Sequence, residues 1–256
     1  MILAVEDISI SFGGLSALDK VSFTVDEHEI TGVIGPNGAG KTTLFNIITS
    51  VFTPSSGNVY LHGKTITALK SHVINKMGVS RTFQNIRLFG TMTVIENVMA
   101  GRHARMDSGV LGCVFRTKRQ RSEEHYARDK AVELLEFVGL SGQWDSVSGN
   151  LSYGMQRRLE IARALASEPS LLLLDEPVAG MNDVERAEIF GLIGRISRTG
   201  VAVLLIEHNM PLVMGLCQKI VVLDFGKKIA EGTPEFIKTH PEVIEAYLGK
   251  EDDEGG

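Results

Sequence analysis

Three short stretches of the chain carry glycines, a lysine, hydroxyls and carboxylates at spacings that chemistry can use. In GPNGAGKTT, residues 35–43, Gly35, Gly40, Lys41 and Thr42 fit the pattern G-x-x-x-x-G-K-[ST]. Glycines let successive backbone N–H groups turn inward around a phosphate, with Pro36, Asn37, Gly38 and Ala39 completing the turn. The Lys41 ammonium would neutralise β/γ oxygens, and the Thr42 hydroxyl, followed by Thr43, would ligate Mg²⁺. The pattern therefore points to a nucleotide held by its phosphates.

The second stretch, LLLLDEP at residues 171–177, is an apolar strand ending in two carboxylates. Such a strand delivers Asp175 to a Mg²⁺ shell at the carboxyl edge of a sheet, where ligands bind in open α/β folds. Glu176 is then placed to orient or deprotonate an attacking water, a role that needs geometry more than a raised pKa. Alone, an Asp-Glu pair closing a strand is as often a solvated turn; downstream of a phosphate loop it becomes the second half of a nucleotide site. The third stretch, LSYGMQRR at residues 151–158, looks like a helix start: Ser152 can cap it, Gly154 permits close approach, and its first turn holds no acid. Free N–H groups and the positive dipole end suit an anion. With one anion site already present more than a hundred residues earlier, the question is whose phosphate this one serves.

These stretches need elements to hold them. Apolar runs of strand length recur at Ile30 to Ile34, Leu171 to Leu174, Val201 to Ile206 and Ile220 to Leu223, separated by stretches of helical spacing such as Val184 to Arg198. Buried parallel strands alternating with helices predict an α/β layered fold. The first sixty residues alternate instead, over Leu3 to Ser11, Val21 to Val25 and Asn58 to His62, with a turn at Pro54 to Gly57. They predict a small antiparallel sheet beside the parallel core. From about Thr93 to Asn150 no strand-like run stands out, whereas Ala127 to Val138 is helically spaced, so a mostly helical insert is expected there. Within it, Arg102 to Arg121 is rich in arginine around VLGCVF; a solvated loop and a contact surface for a membrane protein both fit. The tail EDDEGG, 251–256, is expected to be disordered.

Composition narrows the partners. The 256 residues, 43% apolar, suffice for one large core, so a single domain over 1–250 is expected. The net charge of −5 gives no positive field to recruit nucleic acid. Cys113 and Cys217 make neither a disulfide framework nor a metal-spaced cluster, as expected of a reduced cytosolic chain. MILAVEDISISFGG has no basic n-region, and no apolar run reaches the roughly 18 residues a bilayer crossing needs. Any membrane role is expected to come through partners.

With the phosphate loop, LSYGMQRR and LLLLDEP in this order, the chain resembles the ATP-binding subunits of ABC transporters over nearly its whole length. The resemblance implies the P-loop ABC ATPase fold: a mainly parallel core sheet, an N-terminal antiparallel β-subdomain and an inserted helical subdomain over approximately 93–150. It also answers the question of the second anion site. In this family two ATPase domains close head to tail, and the LSGGQ-like stretch of one caps the γ-phosphate held by the other, which implies that Ser152 and Gly154 act in trans. Tyr153 stands where the family usually has glycine, Met155 where glutamine is usual, and Asn182, in PVAGMND, where aspartate is usual.

Other roles follow only from the likeness. Gln84 in SRTFQN looks like the glutamine that joins Mg²⁺ and water to the helical lobe; His208 is similar to the switch histidine that contacts the γ-phosphate and helps hold Glu176; Phe12 resembles the aromatic that stacks on adenine. SRTFQNIRLFGTMTVIENVMAGRH, IEHNMPLVMGLCQKIVVLDFGKKIAEGTP and PEVIEAYLG resemble the LivG-type branch, the ATPase subunits of bacterial high-affinity branched-chain amino acid importers. That branch implies ATP and Mg²⁺, a homologous second ATPase subunit or a self-pairing as head-to-tail dimer, two membrane permeases, a periplasmic solute-binding protein acting indirectly, and a peripheral place on the cytoplasmic face of the inner membrane. Urea or amide importers and lipopolysaccharide-exporting ATPases share much of the scaffold and remain alternatives; a non-transport ATPase of the same type is a more distant one.

Overall fold

The computed structural model describes residues 1–103 and 118–248. Most of the basic segment Arg102 to Arg121, Cys113 and the acidic tail lie outside the described residues. A six-stranded sheet forms the centre. It comprises β3 (Ile30–Ile34), β6 (Val79–Arg81), β7 (Leu171–Asp175), β8 (Ala202–Ile206), β9 (Lys219–Asp224) and β10 (Lys227–Gly232), in the order β10-β9-β3-β8-β7-β6. The pairs β9/β3, β3/β8, β8/β7 and β7/β6 are parallel, and β10 closes one edge antiparallel to β9. A second sheet, antiparallel throughout, has the order β2-β1-β4-β5, from β1 (Leu3–Phe12), β2 (Leu15–Val25), β4 (Ser56–Leu61) and β5 (Lys64–Thr65).

The sequences ITGVI, LLLLD and AVLLI are buried along their whole lengths, as both-face burial in a parallel sheet requires. Successive side chains still alternate between two cores. Leu172, Leu174, Val203 and Leu205 join a core with residues of helices α3 (Val94–Gly101), α4 (Lys118–Phe137), α5 (Tyr153–Leu165) and α6 (Asp183–Arg198). Leu171, Leu173, Ala202, Leu204 and Ile206 join the other, with the antiparallel sheet and with Leu44, Phe45, Ile47 and Ile48 of α1 (Lys41–Ile48). The phosphate-loop helix is thereby fixed between the two sheets.

Register decides what reaches the site. Val33 pairs with Ile206, Asp175 with Ile206, and Arg81 with Leu173. The carboxyl ends of β3, β8, β7 and β6 therefore meet at one edge, and the segments leaving them carry Gly35, Glu207 and His208, Glu176, and Gln84. Residues 93–150 hold α3, α4 and short 3₁₀ turns at Ser141–Gln143 and Ser148–Asn150; among the described residues their one β contact is the isolated bridge Thr93 to Val147. Helix starts are secured locally. Thr93 and Glu96 form a capping box at α3, and Asn182 and Glu185 form another at α6.

The antiparallel sheet differs in detail from the expectation. β2 begins at Leu15 rather than Val21, because irregular register between Val5 and Ser11 of β1 interrupts the alternation. The expected turn at Pro54 to Gly57 overlaps β4, which starts at Ser56. Gly57, at φ +86°, is required there because a Cβ would lie 2.4 Å from the carbonyl oxygens of Glu6 and Asp7. The remaining helices, α2 (Ser71–Lys76), α7 (Met210–Leu216), α8 (Pro234–Thr239) and α9 (Pro241–Leu248), are short. No helix among the described residues is long and apolar enough to cross a membrane.

Candidate nucleotide site

The loop from Gly35 to Gly40 leaves β3 and turns directly into α1. A Cβ on Gly35 would lie 2.0 Å from the Leu223 carbonyl oxygen, and one on Gly40, at φ +100°, 2.6 Å from that of Ala17. Both positions exclude side chains, so the backbone approaches its neighbours as closely as the pattern requires. Gly40 caps α1 without a side-chain hydrogen bond, and no acid lies in the first turn. Lys41 is buried; its Nζ donates to the carbonyls of Gly35 at 2.7 Å and Pro36 at 2.8 Å, which holds the ammonium across the loop.

Residues from Asn37 through Thr43 line a cavity of about 210 Å³ together with Ala17, Glu176 and His208. Glu176 stands between two partners from different strand ends. Its Oε1 lies 2.7 Å from His208 Nε2, and its Oε2 accepts from Gln84 Nε2 at 2.8 Å. The backbone of Glu176 adopts φ +46°, an uncommon conformation for a side-chain-bearing residue, and its N–H donates to the Ile206 carbonyl at 3.0 Å. The carboxylate is thus aimed by both its backbone and its hydrogen bonds.

Asp175 ends β7 in a buried position, where Arg81 Nη2 donates to its Oδ2 at 2.7 Å. The same guanidinium donates to Asn46 Oδ1 on α1 at 2.7 Å and to Oγ1 of Thr49, which caps the C-terminal end of α1, at 3.3 Å, so one arginine orients the carboxylate against the phosphate-loop helix. Thr42, Asp175 and Gln84 can offer a hydroxyl, a carboxylate and an amide oxygen, the donor types suited to a hard divalent cation that shares ligands with phosphate. Among the described residues there is no cluster of three His, Cys, Asp or Glu that would hold a metal by itself. Glu207, buried beside His208, accepts the N–H groups of Val178 at 3.2 Å and of His208 at 3.1 Å. Burial pushes its carboxyl above the ordinary range, while those N–H groups draw it part of the way back.

Phe12, Ser152 and Gly154 do not line this cavity. Phe12 is exposed near the β1–β2 hairpin, edge-on to Phe52 with ring centroids 5.2 Å apart. Ser152 caps α5, its Oγ accepting the Met155 N–H at 3.5 Å, and no acid lies in the first turn. A Cβ on Gly154 would meet Glu185 Oε1 at 3.1 Å. Reading the sequence missed Arg81, Arg157 and Glu207. Its one hint of Arg81 is a basic residue three places before Gln84 in SRTFQN; each of the three also has a partner distant in the chain, Asp175 for Arg81, Gln84 for Arg157 and Val178 for Glu207.

Residues 18–179 match the family model described as ABC transporter, and residues 227–253 match one described as branched-chain amino acid ATP-binding cassette transporter. The chain is 44% identical over 250 residues to the high-affinity branched-chain amino acid transport ATP-binding protein BraF of Pseudomonas aeruginosa, covering 97% of this chain and 98% of that one. It is 42% identical to LivG of Escherichia coli K12, the corresponding ATP-binding protein, with the same coverage. Among solved structures it is similar to an ATP-binding cassette of an ABC transporter in its ADP conformation, with a TM-score of 0.85 and 35% identity over 97% of this chain and 99% of that one.

Proposed function

The chain belongs to the ABC transporter family of ATP-binding subunits, and from that premise we propose that it powers a membrane importer of leucine, isoleucine and valine by binding and hydrolysing Mg-ATP. The observation that carries the hydrolytic part is the single cavity in which Lys41 and the phosphate loop face a Glu176 held by Gln84 and His208. The amino acid class rests on likeness along almost the full chain to importer subunits so named.

In this reading the backbone N–H groups of residues 35–43 and the Lys41 ammonium cradle the phosphates of ATP, and Phe12 offers its ring to the adenine. Glu176 orients the attacking water and accepts its proton, while His208 and Gln84 keep that carboxylate aimed at the phosphate. Thr42, Asp175 and Gln84 would hold Mg²⁺, which when bound offsets the phosphate charge. Ser152 and Gly154 present the start of α5 to ATP carried by a second subunit, either a homologous ATPase or another copy of this chain. Residues 1–250 act as one ABC ATPase domain with 93–150 as its helical lobe, and closure of the pair drives two permeases that receive solute from a periplasmic binding protein. The subunit works at the cytoplasmic face of the inner membrane through those permeases.

Glu176→Gln tests both halves. Purified with its partners, the variant is expected to bind ATP as the wild type does and to hydrolyse it about 10² to 10⁴ times more slowly. Cells carrying it should lose energised uptake of leucine, isoleucine and valine. Hydrolysis at the wild-type rate removes Glu176 from its role. Slow hydrolysis with branched-chain uptake intact, and another solute lost, overturns the substrate.

A further inference from the structure

Two buried charges on α5 have no part in the chemistry above. Arg157 is fully enclosed, and its guanidinium makes four contacts. Nη1 donates to the Phe83 carbonyl at 2.7 Å and to Glu160 Oε2 at 2.7 Å; Nη2 donates to the Gln84 carbonyl at 2.7 Å and meets the Tyr153 hydroxyl at 3.4 Å. Glu160, three residues along the same helix, accepts the Arg87 N–H at 3.3 Å through Oε1. The segment 83–87 that leaves β6 is therefore fastened to α5 at both its ends. Burial pushes the Glu160 carboxyl up, with Arg157 the largest influence drawing it back.

We propose that Arg157 is a positioning residue for hydrolysis: it joins the start of α5 to Gln84, so that displacement of the Ser152 to Gly154 turn is delivered to Glu176. The path has few links. Arg157 holds the Gln84 carbonyl, the Gln84 side chain donates to Glu176 Oε2 at 2.8 Å, and the other carboxylate oxygen lies 2.7 Å from His208 Nε2. Tyr153, next to Ser152, touches the same guanidinium, which places the helix start itself on the fork. The planar guanidinium serves two successive carbonyls and a carboxylate from two nitrogens held in a fixed fork, whereas an ammonium would have to reach all three from one nitrogen on a flexible stem. A buried ion pair adds little stability over an apolar pair of the same volume, so what it contributes here is position. The inference rests on the reading that Glu176 aligns the water.

The experiment is steady-state hydrolysis by the full chain with its partner subunits, alongside thermal unfolding and ATP affinity. Arg157→Lys keeps a charge beside Glu160 and gives up the fork. It is expected to bind ATP with unchanged affinity, because Arg157 touches none of residues 35–43, and to lower kcat about ten- to a hundredfold. In a Gln84→Ala background the same substitution should lower kcat no further, since the path then ends before Glu176. If Arg157→Lys does not fold, Arg157→Met with Glu160→Leu removes both charges of the pair together and is held to the same outcomes. A folded variant with kcat within about twofold of wild type overturns the proposal, as does an equal loss with and without the Gln84 side chain. Glu176→Gln in the same series separates the failures: if it turns over normally the hydrolytic reading fails, and if it is slow while the Arg157 variants are fast only this inference does.

Discussion

The helix starts at Lys41 and Tyr153 both lack an acid in their first turn, yet they are built in opposite ways. The first is capped by a glycine that offers no side chain, and its loop shares one cavity with Glu176 and His208. The second is capped by a hydroxyl that already accepts the Met155 N–H, and neither Ser152 nor Gly154 reaches that cavity. The starts of α3 and α6 show the contrasting solution, with Glu96 and Glu185 reaching back to the cap and placing negative charge where an anion would sit. The comparison teaches that a helix start without an acid can be enclosed by its own chain or left at the surface. Here a glycine backbone caps the enclosed one, and a side chain caps the exposed one.

The largest expected difference between the two lies in their glycines. Gly35→Ala forces a Cβ to within 2.0 Å of a backbone oxygen and should abolish ATP binding, with a loss of about 4 kcal/mol or more of folding stability. Gly154→Ala meets only the end of the Glu185 side chain at 3.1 Å and should cost about 1 kcal/mol or less while keeping ATP affinity. Chemical unfolding and equilibrium nucleotide binding check both, and equal losses would break the contrast. Next in size is Ser152→Ala. Removing the cap should cost about 1 kcal/mol of stability and leave the chain's own ATP affinity alone. Its hydrolysis, measured with the partner subunit, should fall about tenfold if the α5 start contacts phosphate in trans. Weakened binding to the chain's own loop would place Ser152 at the wrong phosphate.

The smallest effect is a pH dependence, and it divides along the same line. Each region has one buried carboxylate held above its ordinary value of 4.5: Glu207 behind His208, raised by burial, and Glu160 on α5, raised by burial and opposed by Arg157. Such a group holds its proton to higher pH in the native than in the unfolded state. Stability therefore falls as pH rises from 4.5 to the raised native value, and levels off above it. Glu207→Gln should flatten the fall contributed by the first site and leave the Glu160 part in place. Unfolding free energies measured across that range with an unchanged slope would show that Glu207 does not titrate there.

Much of the architecture is visible before folding, and what is hidden has identifiable causes. ITGVI, LLLLD and AVLLI announce buried strands because at most two residues of each are other than aliphatic. β6 is only three residues long, and VSR carries no pattern that distinguishes it from a loop. The first half of β2 was obscured by irregular pairing with β1, which shifts side chains between faces. In the site, GPNGAGKTT and LLLLDEP declare themselves as contiguous strings. Arg81 and Arg157 do not, because Arg81 meets Asp175 94 positions away and Arg157 meets Gln84 73 positions away.

What the sequence by itself determined is whatever consecutive residues can make together: a glycine cradle of successive N–H groups, a capped helix start without an acid, and apolar strands that must be buried. Tertiary structure alone decided that Glu176 stands between Gln84 and His208, that Asp175 answers to Arg81, and that α5 grips the Gln84 segment through Arg157. The physical reason is the range of the constraint. Neighbouring residues are coupled by shared backbone dihedrals, whereas groups on β6, β7 and β8 acquire hydrogen-bonding distance only when parallel register brings their carboxyl ends to the same edge.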